Sequence, residues 1–204
     1  MDDQKLKTPE EFIQQLNERL QTFPTTAEQW TSENLLDLKY VLRNVHTHVT
    51  YLAGEKFLKE LGVDVAFEYD KMYDNGFDFE MDGDIHLVAE IKAILPVNKD
   101  HTRYGAEQEE GIKKDIEGLL KGKEKARNKA FKNHIPDGTY RFLILLENNC
   151  DAFKALLAKL CGERVGRGRK SQKLYDRSQF AIHLQPISIK DVHPDVINVV
   201  FVKI

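Results

Sequence analysis

The sequence predicts an α/β fold in which a mixed central sheet, an antiparallel meander plus a buried strand, is flanked by helices. Three observations predict it. Apolar residues recur at helical spacing up to residue 61, they alternate with polar residues between 63 and 91, and they run without interruption from 142 to 146. Alternation is typical of half-buried strands, and a continuous apolar run is typical of a strand covered on both faces.

The length and composition predict one ordinary globular domain. The chain has 204 residues, with 41% hydrophobic and 31% charged side chains, which differs from the apolar-poor composition of disordered chains. That length suffices for one well-buried core and is short for two. We therefore expect a single domain over residues 1–204, with a helical extension at 1–50, a core at 50–160, and a basic loop and C-terminal strands at 161–204.

Neither a membrane span nor a signal peptide is recognisable. A span needs about 20 consecutive apolar residues, and the first twenty residues here are polar and charged. We therefore expect no membrane contact and a cytoplasmic location. Cys150 and Cys161 are too few for a disulfide framework and lack the paired spacing of a zinc site, so we interpret both as reduced packing residues.

The charge is unevenly distributed. A net charge of −3 does not by itself indicate a nucleic-acid binder, which usually shows a basic excess. Acidic residues dominate at 64–90, however, whereas 113–132 and 164–173 are rich in lysine and arginine. A basic rim around an acidic centre fits a metal site that acts on a polyanion. For either cluster taken alone, solvated helix faces and a charged loop are the favoured interpretation.

The N-terminal half predicts helices followed by strands. A helix over 8–20 has Pro9 at an early position, and one or two helices over 32–61 stop at Gly62. Alternating apolar residues then predict a three-stranded meander with strands at 63–70, 77–81 and 85–91.

The C-terminal half predicts helix, strand, helix and two further strands. The first helix covers 107–120, with a basic helical extension continuing to 131 as an option. A buried strand at 142–146 precedes a helix at 153–160 for which Asp151 is the candidate N-cap. The last strands lie at 180–184 and 196–202.

The parity of the second and third strands predicts which charged residues meet. If their odd-numbered apolar residues share one face, opposed residue numbers must sum to an even value, so the hairpin loop has an odd length. A three-residue loop centred on Gly83 places Asp78 opposite Val88 and diagonal to Glu90. Lys92 projects from the same face as Glu90, so Asp78, Glu90 and Lys92 converge.

These residue types suit metal-assisted cleavage of a phosphodiester. Mg²⁺ prefers oxygen ligands, commonly one or two carboxylates completed by water and substrate phosphate. Asp78 and Glu90 supply the carboxylates, and the main-chain carbonyl of Ile91 is a further candidate ligand. The ammonium of Lys92 is suited to orienting the attacking water or stabilising charge on the phosphorane.

The two motifs resemble the signature of the PD-(D/E)xK, or restriction-endonuclease-like, nuclease superfamily. They are Gly76-Phe77-Asp78 and Val88-Ala89-Glu90-Ile91-Lys92, with Glu90 following Asp78 by 12 residues (90 − 78). The resemblance covers residues 50 to 160 and implies a further acidic ligand, Glu55, on the preceding helix. This sequence departs from the family pattern at Phe77, because members of the family have the name-giving proline at the corresponding position.

The resemblance implies a Mg²⁺-dependent endonuclease, with Mn²⁺ as a substitute metal, acting on double-stranded DNA. A stand-alone chain of this kind most resembles a type II restriction endonuclease, which normally acts as a homodimer. Three alternatives stay open: a repair or junction-cleaving nuclease of the same fold, a nuclease acting on RNA, and a catalytically inactive nucleic-acid-binding protein. In the last case Asp78, Glu80, Glu90 and Lys92 form cross-strand ion pairs on a solvated sheet face.

Further side chains are candidates for DNA contacts. For Gln108 the alternative interpretation is an exposed helix residue. For the basic cluster after residue 161 the alternative interpretation is a mobile surface loop. The candidates are Arg103, Tyr104, Gln108, Arg164, Arg167, Arg169, Lys170 and Lys173.

Overall fold

A five-stranded mixed sheet with four flanking α-helices forms the fold of the described residues. The computed structural model describes residues 8–69, 76–96, 100, 102–163 and 173–204. The helices are α1 (Pro9–Leu20), α2 (Ser32–Leu61), α3 (Ala106–Lys121) and α4 (Cys150–Leu160). The strands are β1 (Phe79–Met81), β2 (Leu87–Lys92), β3 (Tyr140–Leu146), β4 (Phe180–His183) and β5 (Ile197–Val202).

The sheet has the order β1-β2-β3-β5-β4. β1 is antiparallel to β2, whereas the β2–β3, β3–β5 and β4–β5 pairs are parallel. β3 is central and almost fully buried, as its continuous apolar run predicts. The expected α/β class and mixed sheet are confirmed.

The two N-terminal helices begin and end where their capping residues predict. The hydroxyl of Thr8 accepts the backbone N–H of Glu11 at 3.2 Å before α1, and Gly62 ends α2 in the left-handed conformation with φ +75°. Residues 32–61 form one continuous helix. None of the helices in the described residues is both long and apolar enough to cross a membrane.

The predicted first strand is wrong. Within residues 63–69, all of which the structure describes, no strand forms, and Asp70 lies outside the described residues. Phe67 is nonetheless buried against Gly54 of α2, where an added Cβ would lie 2.5 Å from its ring, and Tyr69 packs against Phe12 of α1, whereas Val65 is exposed. The buried members of the alternation therefore pack on helices without a strand partner, and the meander reduces to the β1–β2 hairpin.

The hairpin register differs from the prediction by two residues. The pairs Phe79–Ala89, Glu80–Val88 and Met81–Leu87 have even sums, so the parity argument is confirmed. The connection spans residues 82–86 in place of three residues centred on Gly83. Continuing this register places Asp78 beside Glu90, not opposite Val88.

The two faces of the sheet carry separate hydrophobic cores. α2 covers one face, where Ala53, Phe57 and Leu58 pack against strand residues that include Ala89 and Ile91. α3 and α4 cover the other face, together with residues from the opposite side of β2 such as Val88. Phe77 belongs to this second core, contrary to the expectation that it shares a face with the odd residues of β1 and β2.

The helical extension beyond residue 120 does not form. α3 ends at Lys121, and Gly122 takes φ +83°, where an added Cβ would lie 2.2 Å from the backbone nitrogen of His134. A short 3₁₀ turn, Lys129–Phe131, follows.

The start of α4 also differs from the prediction. Asn149 is the N-cap residue and Asp151 lies in the first turn. β4 and β5 lie within the predicted ranges 180–184 and 196–202. Cys150 and Cys161 are both free thiols, the second buried.

Candidate active site

The hairpin brings Asp78 and Glu90 together. Glu90 and Lys92 project from the face of β2 that α3 covers, and Asp78 immediately precedes β1. The backbone N–H of Ile91 donates to Oδ2 of Asp78 at 2.7 Å, which ties this carboxylate to the strand that carries Glu90. Glu90 and Lys92 thus lie on one face of β2, and Asp78 lies beside them at the edge of that strand.

Two residues that the sequence analysis did not single out complete the cluster. Nζ of Lys92 lies 2.9 Å from Oδ2 of Asp115 on α3. Lys123, just after α3, forms an ion pair with Oε1 of Glu90 and donates to the carbonyl of Gly76 at 2.8 Å. Three carboxylates and two ammonium groups therefore share a largely buried site.

Burial dominates the electrostatics of the carboxylates. Loss of solvent raises the pKa of Glu90 well above its usual value, and repulsion from Asp78 and Asp115 raises it further against the opposing effect of Lys123. Burial also raises the pKa of Asp78, although the Ile91 N–H and Lys92 oppose this shift. The same cause raises the pKa of Asp115 against its lysine partners.

Lys92 is held in its charged form. Burial by itself would lower the pKa of Lys92, but the adjacent carboxylate of Asp115 outweighs it, with help from Asp78 and Glu90, and the pKa is raised. Lys92 is therefore a cation at neutral pH, which suits it to stabilising negative charge and not to accepting a proton.

The carboxylate of Glu80 accepts three backbone N–H groups. Its Oε1 accepts the backbone N–H groups of Phe77 and Arg127, each at 3.1 Å, and its Oε2 accepts that of Asn128 at 2.7 Å. Asn128 also donates from Nδ2 to Asp82 at 3.0 Å. Glu80 thus fastens the segment after α3 to the β1 strand.

Glu55 does not join this cluster in the structure. It lies on α2, which packs on the opposite face of the sheet, and its side chain is exposed and accepts a hydrogen bond from the hydroxyl of Tyr51 at 3.3 Å. The helix that carries Glu55 therefore does not bring this side chain to Asp78 and Glu90, in contrast to what the resemblance implies. The even-numbered side chains of β2 point to α3 instead.

The DNA-contact candidates are dispersed. Arg103 is exposed, whereas Tyr104 is 6% exposed and packs in the core beside α3, where burial raises its pKa. Gln108 accepts the N–H of Gly105 at 3.0 Å and donates to the carbonyl of Leu95 at 2.7 Å, so it serves as a helix cap.

Lys173 is exposed and pairs with Asp176. The other candidates in the basic loop lie outside the described residues: Arg164, Arg167, Arg169 and Lys170.

One of the two missed residues had a sequence signal. Asp115 lies three residues after Ile112 and four before Leu119, on the apolar stripe of α3, so its carboxyl must face the core. A charge in such a position needs a buried partner. Lys123 follows the helix-ending Gly122 and had no comparable signal.

The metal ligands expected from the sequence fit the geometry in part. The N–H and C=O of one residue in a strand point to the same side, so the Ile91 carbonyl also points to the edge where Asp78 lies. A cleft of about 110 Å³ reaches Asp78, with Arg127 and Glu80 also in its lining. Within the described residues, no group of three or more His, Cys, Asp or Glu side chains is arranged to hold a metal ion.

Comparisons with protein-family models, curated proteins and solved structures give no match to this chain. The function proposed below therefore rests on the arrangement of five side chains: Asp78, Glu90, Lys92, Asp115 and Lys123.

Proposed function

We propose that this protein is a metal-dependent nuclease that hydrolyses DNA phosphodiester bonds. The observation that supports it is the hairpin register. It places the Asp78 carboxylate beside Glu90, with Lys92 on the same face of β2.

The carboxylates suit a divalent cation because they repel one another. Asp78 and Asp115 both raise the pKa of Glu90, so a positive charge between the carboxylates would stabilise their ionised forms. Asp78, Glu90 and the Ile91 carbonyl would hold Mg²⁺ or Mn²⁺. The metal, when bound, would polarise the phosphate and activate a water molecule for attack. Two carboxylates and a carbonyl are enough for Mg²⁺, which usually keeps several water ligands.

Lys92 and Asp115 act as a pair in this proposal. Asp115 holds the ammonium of Lys92 at 2.9 Å and keeps it charged. A fixed cation at this position stabilises the negative charge that develops on the phosphate during attack. Asp115 is therefore a positioning residue for Lys92.

A second candidate function is nucleic-acid binding without turnover. The observation that favours it is the pairing of Glu90 with Lys123 and of Lys92 with Asp115, which balances most of the cluster without a metal. In this case the cluster stabilises the fold and Mn²⁺ has no site there.

The narrower assignments rest on the resemblance of the two motifs. We propose a type II restriction endonuclease acting on double-stranded DNA as a homodimer in the cytoplasm. A repair or junction-cleaving nuclease and a nuclease acting on RNA are the alternatives. Cleavage of linear duplex, branched DNA and RNA substrates distinguishes these roles.

The test is cleavage of mixed plasmid and phage DNA with Mg²⁺ or Mn²⁺. We expect discrete fragments from the natural protein and a loss of at least about 100-fold in rate for Glu90→Gln and for Lys92→Met, which remove a metal ligand and a fixed cation. Discrete fragments indicate sequence-specific cutting, whereas a smear indicates a nuclease without sequence specificity.

Matched controls separate chemistry from folding. Glu33→Gln and Lys154→Met make the same substitutions at exposed positions on α2 and α4 and should leave the rate unchanged. Equal activity of all four variants would contradict a role of Glu90 and Lys92 in cleavage. No cleavage by any of them, together with no Mn²⁺ binding by calorimetry, would support binding without turnover.

A further inference from the structure

Among the described residues, a strong concentration of positive charge lies at the end of α3 and directly after it. Residues 121–132, here called the basic segment, contain six Lys or Arg residues and one Glu, a net charge of +5 (6 − 1) in a chain of net charge −3. Lys125, Lys129 and Lys132 are exposed. The net charge of the basic segment is thus opposite in sign to the charge of the carboxylates beside it.

The backbone of the basic segment is held in place at several points. The N–H of Lys123 donates to the carbonyl of Phe131 at 3.2 Å, and the carbonyl of Lys123 accepts from Asn133 at 3.2 Å, which closes the segment into a loop. Phe131 is fully buried and anchors the loop in the core that α3 covers. Its exposed lysines are therefore displayed from a fixed framework, which limits the entropy lost when they bind a ligand.

The same backbone is fastened to the candidate active site. Glu80 on β1 accepts the N–H groups of Arg127 and Asn128, and Lys123 pairs with Glu90. Gly76 permits this close approach, because an added Cβ there would lie 3.0 Å from the carbonyl oxygen of Lys125. The basic segment therefore lies at the edge of the site next to Asp78.

We infer that the basic segment binds the sugar-phosphate backbone of a nucleic acid and directs it to Asp78 and Glu90. The choice of nucleic acid as the polyanion rests on the proposed function. A fixed array of lysines beside the carboxylates neutralises phosphates on either side of the bond at the site.

The surface of the basic segment favours this ligand over a membrane. A segment that inserts into a membrane interface exposes large apolar residues next to its cationic ones. Within residues 121–132, all of which the structure describes, no large hydrophobic side chain is exposed.

The test measures binding of a fluorescent 20-base-pair duplex by anisotropy in EDTA, where no metal-dependent cleavage occurs. The test variant is Lys125→Ala/Lys129→Ala/Lys132→Ala. The control is Lys39→Ala/Lys59→Ala/Lys190→Ala, which removes the same charge at exposed positions elsewhere. Association constants are compared between about 50 and 200 mM salt, the range over which phosphate contacts weaken strongly.

Each phosphate contact contributes about 1 to the slope of log K against log salt, so three lost contacts lower the slope by about 3. We expect this loss in the test variant and no change in the control. Equal slopes in the two triple variants, or no duplex binding by the natural protein, would overturn the inference. So would loss of binding to anionic lipid vesicles in the test variant with duplex binding unchanged.

The outcome is separable from that of the proposed nuclease. Duplex binding that depends on the three lysines, without any cleavage in Mn²⁺, supports this inference and contradicts the nuclease. Undiminished cleavage with an unchanged KM in the test variant supports the nuclease and contradicts the inference.

Discussion

Glu90 shows how a single buried carboxylate shapes its surroundings. Its side chain is 4% exposed, and an unpaired ionised carboxylate in such a position is strongly destabilising. Lys123 compensates by bringing an ammonium group to Oε1, held also by the Gly76 carbonyl and by the face of Phe77, 5.0 Å from the ring centre. A divalent cation bound at Glu90 would compete with this ammonium group.

Substitution of Lys123 by Met should therefore expose the cost of burying Glu90. We expect the free energy of unfolding to fall by about 3 kcal/mol, the lower end of the range for removing one partner of a buried pair, because Lys123 is 26% exposed. Urea unfolding checks this value. If the metal competes with Lys123, saturating Mn²⁺ restores more stability to Lys123→Met than it adds to the natural protein.

Lys121→Met is the matched control. Lys121 lies two residues earlier and pairs with Glu117 at 2.7 Å, but both side chains are largely exposed. Solvent screens an exposed pair, so this variant should change the free energy of unfolding little. Equal losses for Lys121→Met and Lys123→Met would contradict the account of Glu90.

At the scale of elements, β1 has three residues, which is short for a strand that positions a carboxylate of the candidate active site. Its register is supported by contacts outside the ladder. Glu80 accepts three backbone N–H groups, and the Ile91 N–H donates to Asp78. Side-chain acceptors thus replace ladder hydrogen bonds on both sides of β1, and they join it to the basic segment.

Glu80→Ala should release the basic segment from β1. Three backbone N–H groups lose their charged acceptor, and hydrogen bonds to charged groups contribute about 1.5–3 kcal/mol each, partly recovered here by solvation. We expect the free energy of unfolding to fall by about 2 kcal/mol or more. Hydrogen exchange at the amides of Arg127 and Asn128 should accelerate.

The control for this prediction is Glu124→Ala. Glu124 is exposed within the same basic segment, so its removal changes the charge equally without touching β1. Unchanged exchange at Arg127 and Asn128 in Glu80→Ala would show that the three hydrogen bonds do not hold the segment.

At the scale of the whole molecule, the carboxylate cluster couples stability to pH. The folded-state pKa values of Asp78, Glu90 and Asp115 are all raised, first by burial. The folded protein therefore binds more protons than the unfolded chain in mild acid. The stabilisation that arises from these raised pKa values is fully present below the ordinary carboxyl pKa of about 4. It is lost as pH rises through the folded-state pKa values.

Stability should thus increase as pH falls from 7 to 5. The gain is on the order of 1 kcal/mol for each unit by which a pKa is raised within that interval. Urea unfolding at pH 7, 6 and 5 measures it, with Glu90→Gln as the comparison, since that variant lacks a carboxyl whose pKa is raised well above its usual value. The same pH dependence in both proteins would assign the effect to other groups.

Local pattern in the sequence determined most of the elements. Caps, breakers and periodicity place α1 and α2 closely, and the apolar runs place β3, β4 and β5. Each of these signals depends on residues a few positions apart. Even parity in the β1–β2 hairpin followed from the same local alternation, and it predicted that Asp78 lies close to Glu90 and Lys92.

Tertiary structure alone decided what depends on residues far apart in the chain. The buried members of the alternation at 63–69, Phe67 and Tyr69, pack on helices and not on a strand, because local alternation does not specify which kind of element covers it. The exact register, and hence the position of Asp78 beside Glu90, depends on the five-residue connection between β1 and β2. Lys123 reaches Glu90 only because the basic segment folds back onto β1, a contact between residues 33 positions apart (123 − 90) that no local period encodes.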